Sequence, residues 1–437
     1  TAIESITLPY AGDTLENVNQ EDSRIYVLSR LFNSKVIDKT YGAICNGLTS
    51  YIPNSLKKIT ITGGTRIPTD AFNGFKSLTE INLPDTITSV GNNAFYGCGS
   101  LPALPNIKNV KTIGSYAFAN CKSLESVTIP SATDVLGNYA FSNCTSLKSA
   151  TISDGVGSIG VYVFDKCTAI ESITLPYAGT SLESVNKADS SLNMVKKLFI
   201  NGVGEKTYSI YYDGYKHIPN SLKKITITGG TRIPADAFNG FKNLTEINLP
   251  DTITSIGNNA FKDCAGLERI SFYGNAPSIS SNAFTKVTAT AYYQKDNKTW
   301  TSDVKQNYGG NITWNGVELI KITKQPTNAA ASNGKSLSVT VTAKGEGLTY
   351  KWYYKNKSMA KFVESTSTTS DTYSVDKMTP LRDGRQIYCI VTDKHGNSVT
   401  SDIVTLYIGN PVKITKQPKN VSGKTQKEAI YIRIKNK

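Results

Sequence analysis

Four cysteines, Cys98, Cys121, Cys144 and Cys167, recur every 23 residues, and Cys264 holds the same place in a later copy of the surrounding motif. Regularly spaced thiols could bind zinc, form disulfides or pack as small apolar groups. A zinc site gathers its ligands at short spacing, as Cys-x-x-Cys pairs or beside histidine, and no such pair or neighbouring histidine exists here. If each interval is one turn of a coil, the sulfurs stack about 4.7–4.9 Å apart, the distance between neighbouring strands. Disulfides between successive turns are then within reach on distance alone. However, Val287 and Phe75 occupy equivalent slots. The position therefore selects an apolar side chain, and buried reduced thiols are expected.

The other chemistry-bearing residues are sparse. The two histidines, His217 and His395, fall in separate regions with no partner at triad or metal spacing. No G-x-S-x-G, phosphate-binding loop or dinucleotide fingerprint occurs. Two carboxylates recur at exposed strand positions, Glu80 and Glu246. They belong to equivalent units of a duplication and lie many turns apart, far beyond the ~5–10 Å that a glycosidase pair needs. The LPDT runs at 83–86 and 249–252 resemble the start of a wall-sorting signal, but Ile87 and Ile253 stand where glycine is required and no apolar tail follows. No catalytic residue, metal site or cofactor site is assigned, and the chain is read as a non-enzyme.

What positions these residues is a repeat. The unit at 78–100, LTEINLPDTITSVGNNAFYGCGS, recurs at 101–123, 124–146, 147–169, 244–266 and 267–289, with 22-residue copies at 56–77 and 222–243. A fixed period of this length marks a solenoid. Within a unit, L-x-x-I-x-L alternates as a short strand. Pro84 ends it, having no N–H to continue a ladder. The I/V-G pair then turns the chain, and Asn93-Ala94-Phe95 is expected to open a helical or 3₁₀ turn with Phe95 inward. The strands should stack as one parallel sheet on one face, giving an α/β solenoid. The LPALP run at 101–105 is poor in strand formers, so the ladder should weaken there. A larger duplication relates 52–95 to 218–261 at an offset of 166. Irregular stretches at 3–55 and 170–221 carry apolar residues at helical spacing over 22–32 and 189–199. Residues 1–6 repeat 168–173, which follow Cys167, so the chain is expected to begin within a repeat, as an excised piece.

The region after the array differs. Residues 290–319 hold Tyr292, Tyr293, Trp300, Tyr308 and Trp314, suited to capping the last turn of the solenoid, or to stacking on sugars. Residues 320–410 alternate as strands over 336–343, 348–354, 386–393 and 398–408. Trp352 followed by Asp383, Gly384 and Cys389 resembles the pattern of an immunoglobulin-like sandwich, although the partner cysteine is replaced by Val339 or Val341 and the usual tyrosine by Ile387. Cys389 should pack on Trp352 as a free thiol. The VKITKQP run at 412–418 repeats 320–326, so 411–437 read as the start of a second such module. The net charge of +14 is concentrated here: residues 320–437 carry 20 Lys and Arg against 8 Asp and Glu, the remainder 28 against 26. Such a module could favour an anionic cell surface. Nucleic acid is not expected, because the lysines show no recognition-helix or zinc-finger spacing. No run of 18 apolar residues exists to span a membrane.

The solenoid's exposed face is expected to present Thr60, Thr62, Glu80, Asn82, Ser126, Thr128, Ser149, Thr151, Ser172, Thr174, Lys224, Thr226, Glu246, Asn248, Arg269 and Ser271. These are mostly small and polar, able to hydrogen-bond a protein or a glycan, but without aromatic anchors. The I/V-G-x-x-A-F-x-x-C signature, recurring through 1–319 with Pro after the strand, resembles the BspA-like (Treponema pallidum-type) leucine-rich repeats. The resemblance implies a secreted or cell-surface bacterial protein with an adhesion or protein-binding role, whose partner is a host or bacterial surface protein. It brings no catalytic residues. An alternative is a carbohydrate-binding surface protein that recognises host or cell-wall glycans through the aromatic loops near the cap.

Overall fold

The computed structural model describes residues 3–11, 41–45, 48–178, 198–199, 208–210, 217–357, 359, 362–394 and 397–409. The helices expected over 22–32 and 189–199 lie outside these residues, apart from Leu198 and Phe199, which are buried. The second-module segment 411–437 and His395 lie outside them as well.

The repeat units form a parallel β-solenoid of leucine-rich-repeat type. Ser5–Leu8, Lys58–Ile61 and Glu80–Asn82 make one three-stranded parallel sheet. Ser126–Ile129, Ser149–Ile152, Ser172–Leu175, Lys224–Ile227, Glu246–Leu249, Arg269–Phe272, Thr288–Gln294 and Asn311–Val317 make a second of eight strands. The break falls on the LPALP coil, as its two prolines lead one to expect. Two-residue strands such as Ser89–Val90, Thr112–Ile113 and Val135–Leu136 form a further parallel ladder past the bend.

Identical slots stack on one another. Phe72, Phe95, Phe118, Phe141 and Phe164 form a fully buried column with ring centroids 5.1, 5.0, 5.4 and 5.9 Å apart. Phe238, Phe261 and Phe284 repeat it at 5.1 and 5.2 Å. Cys98, Cys121, Cys144, Cys167 and Cys264 are buried and free. Each S–H donates to the phenylalanine carbonyl of the preceding coil, as Cys144 Sγ does to Phe118 O at 3.3 Å and Cys264 Sγ to Phe238 O at 3.0 Å. The glycine of the I/V-G pair lies backbone against backbone. A Cβ on Gly137 would sit 2.5 Å from Gly114 C and Ser115 N, so no side chain fits.

The turns opposite the sheet are not helical, contrary to the sequence expectation, and no helix occurs among the described residues. The backbone shows why. The N–H groups of Asn93, Phe95 and Gly97 point to the next coil, reaching Ser115, Ala117 and Ala119 carbonyls at 2.9, 2.7 and 2.8 Å. Only the intervening residues close local turns, as Tyr96 N does on Asn93 O at 3.0 Å. A continuous helix needs every N–H within its own segment. Left-handed residues interrupt it twice in most coils, as at Asn93 (φ 52°) and Gly97 (φ 71°).

Residues 320–409 form a second, all-β unit with its own core of Ile320, Val339, Val341, Trp352, Tyr373, Val375, Met378, Ile387, Cys389, Val391, Val404 and Leu406. Thr349–Lys355 and Arg385–Thr392 pair antiparallel and place Trp352 opposite Cys389, both fully buried. Leu337–Thr340 pairs with Thr372–Val375 as a separate ribbon. The strands Ala329–Ala331 and Thr372–Val375 escape the sequence reading, being short and rich in small or hydroxylated residues.

If the stacked columns hold the solenoid, Phe118→Ala should cost roughly 3–5 kcal/mol. Cys144→Val, which copies the residue at 287, should cost less than about 1.5 kcal/mol. Gly137→Ala should exceed Cys144→Val. Denaturant midpoints of the three variants test this order.

Candidate functional site

The sheet face carries two rows of side chains, set by the strand register. One row runs Ser126, Ser149, Ser172, Lys224, Glu246, Arg269; the other runs Thr128, Thr151, Thr174, Thr226, Asn248, Ser271. Ser5, Lys58 and Glu80 make the first row in the smaller sheet, and Thr7, Thr60 and Asn82 make the second. The structure thus brings the expected face residues together, with one exception. Thr62 follows its strand and turns its hydroxyl back to Leu8 O at 3.3 Å.

The duplicated copies repeat the same local geometry. Lys58 Nζ lies 2.7 Å from Glu80 Oε1, and Lys224 Nζ lies 2.8 Å from Glu246 Oε1. Asn82 Nδ2 donates to Glu80 Oε1 at 2.9 Å and Asn248 Nδ2 to Glu246 Oε1 at 3.0 Å. Burial raises the Glu80 carboxyl somewhat, but the hydrogen bonds from Lys58 and Asn82 outweigh it and leave it below the usual carboxylate range.

The two copies differ in exposure. Ser126 and Thr128, like Asn82, are open to solvent, and Thr60, Thr151 and Thr174 are half-buried. In the second copy Asn248 is 4% exposed and Ser271 is fully buried, with Asn397 of the 320–409 unit bonded to Ser271. Ser271 Oγ donates to Asn397 Oδ1 at 3.1 Å, Arg269 Nη1 donates to the same oxygen at 3.3 Å, and Lys224 Nζ donates to Ser398 Oγ at 3.3 Å. At the far end a polar cavity of ≈ 280 Å³ lies between Glu80, Asn82 and the LPALP coil on one side and Lys355, Lys357 and Gln386 on the other.

The aromatic residues after the array pack on one another. Trp300 lies 4.9 Å from Phe272, 5.2 Å from Tyr293 and 5.4 Å from Trp314, and is buried with its Nε1 donating to Gly274 O at 3.1 Å. A second aromatic row escapes the sequence reading: Tyr116, Tyr139 and Tyr162 stack on the turn side at 4.7 and 5.1 Å. Their common slot in the 23-residue period is the signal that could have found it.

Among the described residues no group of three or more His, Cys, Asp or Glu could hold a metal ion. Likewise there is no helix among them long and apolar enough to cross a membrane. Burial pushes the thiols of Cys98, Cys121 and Cys167 well above the usual range, and that of Cys389 up to about 12.

A family model described as "BspA type Leucine rich repeat region (6 copies)" matches residues 65–193 and 209–302, together half of the chain. Among solved structures, a T. pallidum leucine-rich-repeat protein is 22% identical over 48% of this chain and 77% of its own, with a TM-score of 0.29. A leucine-rich cell surface protein from Faecalibacterium prausnitzii is 21% identical over 72% and 89%, with a TM-score of 0.31. An internalin from Listeria monocytogenes is 14% identical over 60% and 76%, with a TM-score of 0.29. No curated protein matches the chain.

The raised thiols give a pH dependence. A thiol whose folded pKa exceeds its unfolded value of about 8.5 contributes stability that is full below that pH and is lost as the pH rises above it. Stability should therefore fall above about pH 8.5. In the native state these thiols should resist iodoacetamide, becoming reactive in denaturant; urea melts at stepped pH and mass spectrometry of alkylated peptides read both effects.

Proposed function

Because the chain belongs to the BspA-type leucine-rich-repeat family, we propose that it is a non-enzymatic binding protein of the bacterial surface, displayed or secreted, that adheres to a host or bacterial surface protein. In this reading residues 1–319 are the binding platform, with 290–319 closing its end. Residues 320–410 are an immunoglobulin-like spacer, and 411–437 open a second one. Facing antiparallel strands around a buried Trp352–Cys389 pair support the spacer assignment.

The observation that carries the reading is the sheet face itself. Its stretch Ser126, Thr128, Ser149, Thr151, Ser172 and Thr174, exposed at the first two and half-buried at the rest, is an array of hydroxyls held in register by the ladder. Short side chains on a rigid backbone lose little conformational freedom on binding. Such a surface suits broad contact with a protein better than the enclosure of a small substrate. The basic residues of the spacer, including the exposed Lys321, Lys324 and Lys344, would add attraction to an anionic cell surface. The glycan alternative gains nothing from Trp300, which is buried between Tyr293 and Trp314 and has little free face for a sugar.

The test is binding of the chain to epithelial cells and to immobilised extracellular-matrix proteins. Thr128→Arg combined with Thr151→Arg, which crowds the face without touching the core, should weaken saturable binding at least tenfold. Undiminished binding by that variant would move the site off the face.

A further inference from the structure

We infer that the 320–409 unit is a reversible latch: it docks through Asn397 on the sheet face of the second repeat copy and masks that half of the surface. This goes beyond the proposed adhesive role and does not depend on what the protein binds.

The internal duplication supplies the control. Lys58, Thr60, Glu80 and Asn82 are matched in sequence and register by Lys224, Thr226, Glu246 and Asn248. In the first copy the ion-paired side chains are 46% and 40% exposed; in the second they are 26% and 17% exposed. The strands that carry these pairs are the same in both copies, so the difference comes from what lies beside and above them: Arg269 and Ser271 on the adjoining strand in place of Ala103 and Pro105, and the 320–409 residues that bond to Lys224, Arg269 and Ser271.

The contact is specified rather than generic. Positions 269 and 271 hold Arg and Ser, whereas their duplicates at 103 and 105 are Ala and Pro. Only the second copy can therefore offer the two donors that converge on Asn397 Oδ1. Asn397 is itself preset: its N–H and Nδ2 donate to the two carboxylate oxygens of Asp393, each at 2.8 Å, and Asp393 N donates to Asn397 O at 2.9 Å. This fixes the amide so that its oxygen faces the sheet. Arg269 is held from the other side over the Tyr292 ring, 5.1 Å from its centroid. Tyr273 is drawn into the same contact, where burial and then the Asp393 carboxylate raise its hydroxyl pKa.

Two features favour reversibility. In the docked arrangement Asn248 is 4% exposed and its Oδ1 has no hydrogen-bond partner from the protein. The duplicate Asn82 is exposed, so water can satisfy the equivalent atom. A buried orphan acceptor opposes closure. The contact is also polar and seated at one end; the other end faces the first copy across the cavity at Glu80 and Asn82. A permanent domain interface is typically large and apolar.

The matched lysines allow a direct measurement on the full chain. Limited acylation with an amine-reactive ester, read by peptide mass spectrometry, should modify Lys58 several-fold faster than Lys224. Asn397→Ala and Ser271→Arg should each bring the two rates within twofold, with the circular dichroism spectrum and the Lys58 rate unchanged. Small-angle scattering should show a larger radius of gyration for both variants. Equal lysine rates in the unmodified chain would show that the unit is not docked. A difference that survives both substitutions would show a permanent interface. Either result overturns the latch.

Discussion

A single coil of 23 residues cannot bury its own apolar side chains, and half of its backbone N–H groups point along the solenoid axis. Both needs are met only by the next coil. This constraint accounts for the ladder on the sheet side, for the second ladder of two-residue strands, and for the unusual turn side, where alternate N–H groups leave the local turn to bond the following coil. Once three ladders fix the spacing at about 4.8 Å, every slot must meet its own copy face to face. Flat rings, thiols and glycines are what stack at that distance. Phenylalanine rings overlap in parallel, the thiols fill the gap beside them while donating to a carbonyl, and glycine allows backbone to touch backbone.

The same constraint explains which parts of the fold were legible in the sequence. The Phe and Cys columns follow from period alone, because anything repeated every coil must stack. The break at 101–105 follows from proline chemistry. The turn side departs from the helical expectation because Asn93-Ala94-Phe95 resembles a helix start when read as an isolated segment. What decides the matter is the neighbouring coil, which competes for the same N–H groups, together with residues able to hold positive φ. Asn93 and Gly97 do so readily. Tyr116 and Tyr139 do so against ordinary preference, in a slot where their rings also stack.

The face was legible as a list and not as a surface. Alternation identifies Ser126, Thr128, Thr151 and Thr174 as outward, and the structure leaves Ser126 and Thr128 open. It identifies Asn248 and Ser271 equally well as outward, yet both are buried. Alternation does not reveal this, since the covering residues, Asn397 and Ser398, lie more than 120 positions away. The signal was present in another form: two copies nearly identical from strand to strand diverge at 269 and 271 against 103 and 105. Divergence between duplicates locates a role that only one of them has.

That divergence also bears on how such an array acquires function. A duplicated solenoid starts with two equivalent faces, and any unit that recognises one recognises the other equally. Replacing one coil's Ala and Pro with Arg and Ser removes the degeneracy, because the converging donors exist in only one place. The proline coil does the complementary work in the first copy. It interrupts the sheet, leaves no donor at the matching positions, and opens a cavity where the second copy has contact. Specificity within the chain thus comes from both an added attraction and a withheld one. The columns beneath are untouched by either change, since strand side chains alternate between core and face. A repeat protein can in this way rewrite its surface coil by coil while the stacking that holds it together stays the same.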